Sequence, residues 1–188
     1  MKKRIFFTIL YFLVIKSFGQ FDPMYSQYMR NMILINPGYA GIDDYSSMSL
    51  LHRQQWVGFE GAPTTTALSF HGPISRKRIG VGSSLIHDKV GPYNQLDFNL
   101  YFAYHLRISE KINIGSGFNG NVNYTSFDFS NLKGSKEFDP LFSPNTSRTL
   151  PNLGVGLLLY SRNWYFGFSL PRLFEASFNK NSNMNYVN

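Results

Sequence analysis

The feature that most constrains the fold is a two-residue alternation of apolar and polar side chains. It is clearest in NQLDFNLYFAYHLR, where Leu, Phe or Tyr occupies every second position from Leu96 to Leu106. The intervening positions are mostly polar or charged, beginning with Gln95 and Asp97. Successive side chains of a β-strand point to opposite faces, whereas helical spacing would scatter these apolar residues around the axis. The segment is therefore predicted to be a strand with one apolar and one polar face.

The same alternation predicts seven strands. They cover residues 46–55, 64–71, 78–87, 94–107, 112–126, 152–160 and 163–170. Some connections are short and polar (GPISRK, RISEK, SRN), whereas WVGFEGAP, DKVGPY and residues 127–150 are longer. Short turns at one end and long loops at the other are typical of an outer-membrane β-barrel, with apolar side chains towards lipid and polar ones towards the lumen. The sequence thus predicts an all-β, antiparallel transmembrane barrel.

Composition favours the barrel over a soluble β-sandwich, which would show the same alternation. Only 15% of the residues are charged, against about 25% in a typical soluble domain. The net charge of +7 includes four basic residues in the first 20 positions. The remaining 14 basic and 11 acidic residues leave 14 − 11 = +3, which gives no reason to expect nucleic-acid binding.

The N-terminus predicts export. Residues 1–19 combine a basic start, an apolar run from Ile5 to Ile15 and small residues before Gln20, the pattern of a signal peptide rather than of a membrane anchor. Residues 20–45 show no clean period and are predicted to be irregular, and residues 46–188 are assigned to the barrel. Seven strands cannot return both ends of an up-and-down barrel to the same side, so further strands are expected to be missing. We expect the isolated chain not to form a stable inserted barrel, because unpaired strand edges are costly in lipid.

Several spaced motifs resemble one known family. They are FDPMYSQYMRN, INPGYAG, RQQWVGFEGAP, HDKVGPYNQ and YFAYHLRISEK, which occur in this order between about residues 20 and 111. Together they resemble the PorP/SprF family of the type IX secretion system in Bacteroidetes, and the resemblance extends to about residue 173. The resemblance implies an outer-membrane barrel that helps deliver or retain particular secreted proteins at the cell surface, some of them adhesins used in gliding. It implies partners among the secreted proteins and the secretion components of the periplasm and outer membrane.

Two other functions remain open from the residues alone. A passive or substrate-specific porin would use the same fold with a water-filled lumen. A soluble surface adhesin domain would use the strands as a sandwich. His71 and His105 are predicted to face the lumen, and with Ser69 and Asp97 they suggest a hydrolase site, but polar lumen lining explains the same residues. No cysteine is present and the four histidines lack metal-ligand spacing, so no enzyme, cofactor or metal site is predicted. The glycines of GVGSS and GSGFNG lie in strand patterns, which indicates a crowded barrel interior rather than a nucleotide site.

Two regions are candidate partner-binding sites. In the N-terminal segment, Asp22, Tyr25, Gln27 and Tyr28 are suited either to plug the lumen or to dock a periplasmic partner, and Asn36, Pro37 and Gly38 form a strong turn signal. The local alternative is that this turn only delivers the chain to the first strand. In the first outer loop, Trp56, Phe59 and Glu60 are candidate contacts for a secreted partner, because aromatic residues are frequent at protein interfaces. An ordinary solvated loop is the alternative there.

Overall fold

The chain forms a single antiparallel sheet of seven strands that curls into a half-barrel. The computed structural model describes residues 31–75, 78–128 and 146–174. The strands are β1 (Ser47–Gln54), β2 (Thr64–Ser75), β3 (Ile79–Val90), β4 (Tyr93–Arg107), β5 (Asn113–Phe127), β6 (Thr146–Tyr160) and β7 (Tyr165–Leu170), and they neighbour one another in chain order. In the described ranges, no helical segment has the length and hydropathy of a membrane-spanning helix. The predicted all-β antiparallel fold is confirmed, and the curled half-barrel is consistent with part of an outer-membrane barrel.

Burial along the strands is inverted relative to a soluble protein. On β4, Leu100 is 56% exposed, whereas the neighbouring Asn99 is only 7% exposed. The whole strand follows this alternation, with its apolar side chains on the convex face and its polar side chains on the concave face. A β-sandwich would cover the apolar face with a second sheet. The exposed apolar face and the buried polar face are instead what a barrel in lipid requires.

The height of the apolar face matches a membrane. On β4 the exposed apolar side chains run from Leu96 to Leu106. This is a rise of roughly 33 Å at about 3.3 Å per residue, or roughly 25 Å along the barrel axis for a strand tilted by about 40°. Outer-membrane barrels carry an apolar band of about this height. At the loop-end edge of the band, level with Leu96, the exposed side chains of the neighbouring strands become polar, as at His52 and His87.

The two ends of the half-barrel differ. At one end, which we call the loop end, residues 55–63 connect β1 to β2 and the β5–β6 connection begins. At the other, the turn end, short connections join β2 to β3, β4 to β5 and β6 to β7. The prediction of a longer loop at DKVGPY is wrong. The strands β3 and β4 extend to Val90 and Tyr93, and only Gly91 and Pro92 remain between them. Gly91 has a φ of 55°, which a two-residue hairpin turn needs and glycine permits.

The strand β6 also begins earlier than predicted. Residues 146–150 were expected to belong to a long loop, but they pair with β5, with Thr146 opposite Phe127. The sequence pattern breaks at Pro151, which lies inside the strand opposite Val122. Among the described residues β7 pairs with β6 only from Val155 onwards, so Pro151 has one paired neighbour strand. A proline without an N–H group is tolerated at such an edge position.

A charge in the middle of the apolar band should prevent stable insertion. We expect Leu100→Arg to destabilise the barrel by roughly 2–4 kcal/mol, the usual effect of Arg on a lipid-facing position near the bilayer midplane. The change in the free energy of unfolding is measured by urea titration of the protein in lipid vesicles. The folded fraction at each urea concentration is read from the heat-modifiable migration of the barrel on a gel. His87→Arg is the matched control, because His87 is exposed on the same convex face at the loop-end edge of the apolar band, opposite Leu96. Equal stability of the two variants would contradict the assignment of this face to lipid.

Candidate functional site

Residues 31–45, which we call the lumen segment, lie against the concave face in its turn-end half. They form two short 3-10 turns, Met32–Leu34 and Pro37–Tyr39, before the chain enters β1. The second turn packs against β4, β5 and β6. Ile33 and Ala40 are fully buried and join two buried side chains of β4 in an apolar core. The inside of the half-barrel is therefore filled here by the chain itself.

Strand glycines let the lumen segment approach the wall at main-chain distance. A Cβ atom at residue 117 would collide with the carbonyl group of Pro37, and one at residue 80 would collide with the carbonyl group of Ala40. Gly80, Gly115 and Gly117 approach the main chain of the segment in this way, and Gly156 contacts the side chains of Asn36 and Pro37. The sequence predicted a crowded interior beside these glycines, and the structure identifies the lumen segment as the crowding element.

Asn36 fastens the lumen segment to the last two strands. Its Nδ2 donates hydrogen bonds to the carbonyl oxygens of Leu157, at 3.0 Å, and Phe168, at 3.3 Å. Its Oδ1 accepts from the Gly38 N–H at 2.8 Å and caps the following 3-10 turn. The turn predicted at Asn36, Pro37 and Gly38 is present, and all three residues are buried. They act here as internal contacts of the segment.

Two histidines hold the other end of the lumen segment. The Nε2 atom of His105 lies 2.8 Å from the Ala40 carbonyl oxygen. Because a carbonyl can only accept, the proton is on Nε2, and Nδ1 accepts from the Tyr160 hydroxyl at 3.1 Å. His71 accepts at Nδ1 from the Gly41 N–H at 3.4 Å. Sequence reasoning placed both histidines on the lumen wall but had no signal for the partner that each would bind.

The imagined hydrolase constellation is not formed. The Ser69 hydroxyl donates to Asn31 Oδ1 at 2.8 Å, and His71 binds the lumen segment. Asp97 lies in a separate cluster on β4, where Asn123 donates to it at 2.7 Å. A triad needs its three groups in mutual contact. These residues instead hold the inner wall together.

The loop-end half of the concave face carries an amide network around Asp97. Asp97 is 3% exposed and accepts hydrogen bonds from Gln95, Asn121 and Asn123. It also pairs with Arg172, which follows β7. The sequence had shown that polar side chains recur on β4 and β5. It gave no signal that Arg172 would reach across the sheet to this carboxylate.

The β1–β2 loop presents apolar side chains beyond the loop end. Trp56 and Phe59 are 70% and 76% exposed, and Glu60 is exposed beside them. The loop is fixed by main-chain bonds: Phe59 N–H donates to Trp56 O at 3.1 Å, and Gly91 N–H donates to Gly61 O at 2.9 Å. Trp56 has a φ of 48°, which a large side chain rarely adopts. The loop thus displays two aromatic rings in a defined conformation.

A cavity of about 970 Å³ opens at the turn end, between the lumen segment and the strand connections. Its lining includes Asp43, Asp44, Tyr45, Lys111, Arg162 and Trp164. Burial raises the pKa of Tyr39, which also lines the cavity, and nearby Asp43 adds to the rise. The Tyr39 hydroxyl therefore remains protonated near neutral pH. The cavity offers charges of both signs and aromatic rings at one end of the barrel.

The predicted partner-binding residues occupy different places. Asp22, Tyr25, Gln27 and Tyr28 lie outside the described residues. Asn36, Pro37 and Gly38 are at the turn end, whereas Trp56, Phe59 and Glu60 are at the loop end. The structure does not bring these last two groups together, so they cannot form a single site.

The model of one protein family, the type IX secretion system membrane proteins PorP/SprF, matches residues 17–188. The chain belongs to this family. PorP/SprF proteins are membrane components of the type IX secretion system, and the exposed apolar band of the half-barrel agrees with a place in a membrane. Comparison with curated proteins and with solved structures gives no significant match.

A side chain at Gly117 should displace the lumen segment. We expect Gly117→Val to destabilise the folded barrel by roughly 1–3 kcal/mol or more, because the added atoms overlap the main chain of the segment. Limited proteolysis should then cut within residues 31–45. Gly120→Val on the same strand is the control, since the nearest atom to a Cβ there is 4.0 Å away. Protection of the segment in Gly117→Val would show that it does not depend on this close approach.

Proposed function

We propose that this chain is anchored in the outer membrane and helps deliver or retain particular secreted proteins at the cell surface through protein–protein contacts. Gliding adhesins are among the proteins it is proposed to serve. Membership of the PorP/SprF family supports a role in type IX secretion. The roughly 25 Å apolar band on strands supports the outer membrane, where barrels of this kind reside.

The observation that carries the proposal is that the chain itself occupies the turn-end half of the interior. In the turn-end half, the lumen segment is buried against the wall by main-chain contacts and side-chain hydrogen bonds. In the loop-end half, the amide side chains are bonded to one another and to Asp97. A porin needs a wide water-filled lumen whose polar side chains face mobile solutes. Because the lumen segment closes the turn-end half, the two ends of the barrel remain as the surfaces for partners, which favours a protein-binding role.

The two ends are proposed to have different partners. The loop end, with Trp56, Phe59 and Glu60, is proposed to contact the secreted protein outside the cell. The turn end faces the periplasm in barrels of this kind. There Asp22, Tyr25, Gln27 and Tyr28 are proposed to engage other secretion components. Asn36, Pro37 and Gly38 fix the segment that directly follows these residues in the chain.

The first test compares the surface and secreted proteomes of cells with and without the intact gene. We expect one or a few secreted proteins to disappear from the surface while the uptake of small solutes stays normal. The missing proteins then identify the partner. Unchanged proteomes together with reduced uptake of a small solute would instead establish the porin function.

The aromatic loop should contribute to retention. We expect Trp56→Ala combined with Phe59→Ala to weaken partner binding about tenfold or more, because exposed aromatic anchors commonly contribute well over 1.4 kcal/mol at interfaces. The readout is the fraction of the served protein held on the cell surface rather than released to the medium. Ile108→Ala is the control, since Ile108 is an exposed apolar residue in the β4–β5 turn at the opposite end. Equal retention in both variants would remove the loop from the proposed interface.

A further inference from the structure

The Asp97 carboxylate lies at the centre of a buried set of amide side chains. Asn123 Nδ2 donates to Asp97 Oδ1 at 2.7 Å, and Asn121 Nδ2 approaches the same oxygen at 3.3 Å. Gln95 Nε2 donates to Asp97 Oδ2. We call this set, together with Asn99 and Asn119, the Asp97 cluster. It lines the concave face beyond the lumen segment, on β4 and β5.

The Asp97 cluster has more acceptors than donors. Asn119 and Asn121 are both over nine-tenths buried. Their amide oxygens nevertheless have no hydrogen-bond partner in the described part of the chain. The single Nδ2 group of Asn121 is shared among Asp97 Oδ1, the Phe98 carbonyl oxygen at 3.5 Å and Asn99 Oδ1 at 2.9 Å. Buried polar atoms without partners are costly, so the cluster is suited to a group that brings several donors.

Rotating the Asn121 amide does not remove the shortage. A flipped side chain would place its oxygen against Asp97 Oδ1 and Asn99 Oδ1, which are both acceptors when Asp97 is ionised. The observed orientation is therefore fixed by its neighbours. The unpartnered Oδ1 of Asn121 is therefore a property of the site.

A cation from the chain itself already approaches the cluster. Arg172 Nη2 lies 3.5 Å from each carboxylate oxygen of Asp97, which is longer than the 2.7–2.9 Å of a strong charge-assisted hydrogen bond. The Arg172 side chain is 37% exposed. The residues around it are held along β6, where Leu173 N–H donates to Leu153 O at 2.8 Å. A guanidinium can thus reach Asp97, but this one makes a long contact from a partly solvated position.

We propose that the Asp97 cluster binds a basic side chain, arginine or lysine, of the secreted partner's polypeptide in place of Arg172. The assignment of the ligand to a secreted protein rests on the proposed function. The cation neutralises the buried carboxylate, and its N–H groups supply donors to the amide oxygens of Asn119 and Asn121. Arginine fits best because its guanidinium presents five donors in one plane. The ligand enters from the loop end, since the lumen segment covers the turn-end half.

The test uses the full-length protein in lipid nanodiscs and a synthetic probe. The probe is the peptide Ac-Gly-Arg-Gly-Arg-Gly-NH₂, with norleucine replacing both arginines in the reference peptide, and binding is followed by calorimetry. We expect Arg172→Gln to bind the arginine peptide about tenfold more tightly than the unchanged protein, because the internal competitor is removed. The pair Asp97→Asn with Arg172→Gln leaves no uncompensated charge. It should bind the arginine peptide no better than the norleucine peptide.

Asp88→Asn is the matched control. Asp88 is a carboxylate on neighbouring β3 that accepts from the Thr65 hydroxyl at 2.5 Å and is not part of the Asp97 cluster. It should leave peptide binding unchanged. Equal affinity in Arg172→Gln and in the neutral pair would overturn the proposal and leave Asp97 and Arg172 as an internal pair only.

The peptide measurement tests the Asp97 cluster, and the proteome comparison tests the secretion role, so that either proposal can be rejected without the other. Loss of arginine-peptide binding in the neutral pair supports the site whatever the proteomes show. Unchanged proteomes after loss of the gene would count against the secretion role alone. In cells, Asp97→Asn combined with Arg172→Gln should also lower the surface retention of the secreted partner. The amount of folded, heat-modifiable barrel should stay normal in the same cells.

Discussion

The contact between the lumen segment and the glycines of the wall is the constraint on which the rest of the structure depends. Main chain meets main chain at Gly80 and Gly117, where any side chain would keep the two apart. This close approach brings Asn36 within reach of carbonyl groups on β6 and β7 and Ala40 within reach of His105. His71 and His105 of the turn-end wall thereby find partners within the protein, as burial requires.

The same constraint separates the molecule into two functional halves. The turn-end half is occupied by the chain itself, and its remaining opening is a cavity with mixed charge. The loop-end half keeps a polar cluster with unpartnered acceptors below an exposed aromatic loop. Partner contacts are therefore expected at the two ends rather than along a continuous channel. This arrangement suits a membrane component that handles proteins.

Strand periodicity allowed the sheet to be predicted, because the outward face of the strands is mostly apolar. Each strand's pleat repeats every two residues, so Leu96 to Leu106 identifies both the strand and its outward face. The edges of the strands were less predictable. Gly91 and Pro92 read as part of a loop but form a two-residue turn, and Pro151 interrupts the pattern of a strand that continues through it. Residues such as Gly and Pro indicate that a strand is interrupted near them, but they do not specify how many residues leave the strand.

The site was predictable only in part. The turn at Asn36, Pro37 and Gly38 is a local signal, since asparagine caps and proline starts a 3-10 turn within a few residues. The contacts of Asn36 with Leu157 and Phe168, and of Arg172 with Asp97, join residues far apart in the chain. No local pattern encodes such pairs. They follow from the curl of the sheet, which brings distant strands over the same interior.

The long reach of Asn36 has a consequence for the order of assembly. Its partners Leu157 and Phe168 lie 121 and 132 residues further along the chain. The lumen segment is therefore synthesised before every strand but completes its bonds only once β6 and β7 are in place. Contacts of such high sequence separation form late and slow folding. A lumen segment in place is consequently a marker of a correctly ordered sheet, because Asn36 can complete its bonds only when β6 and β7 have adopted their positions.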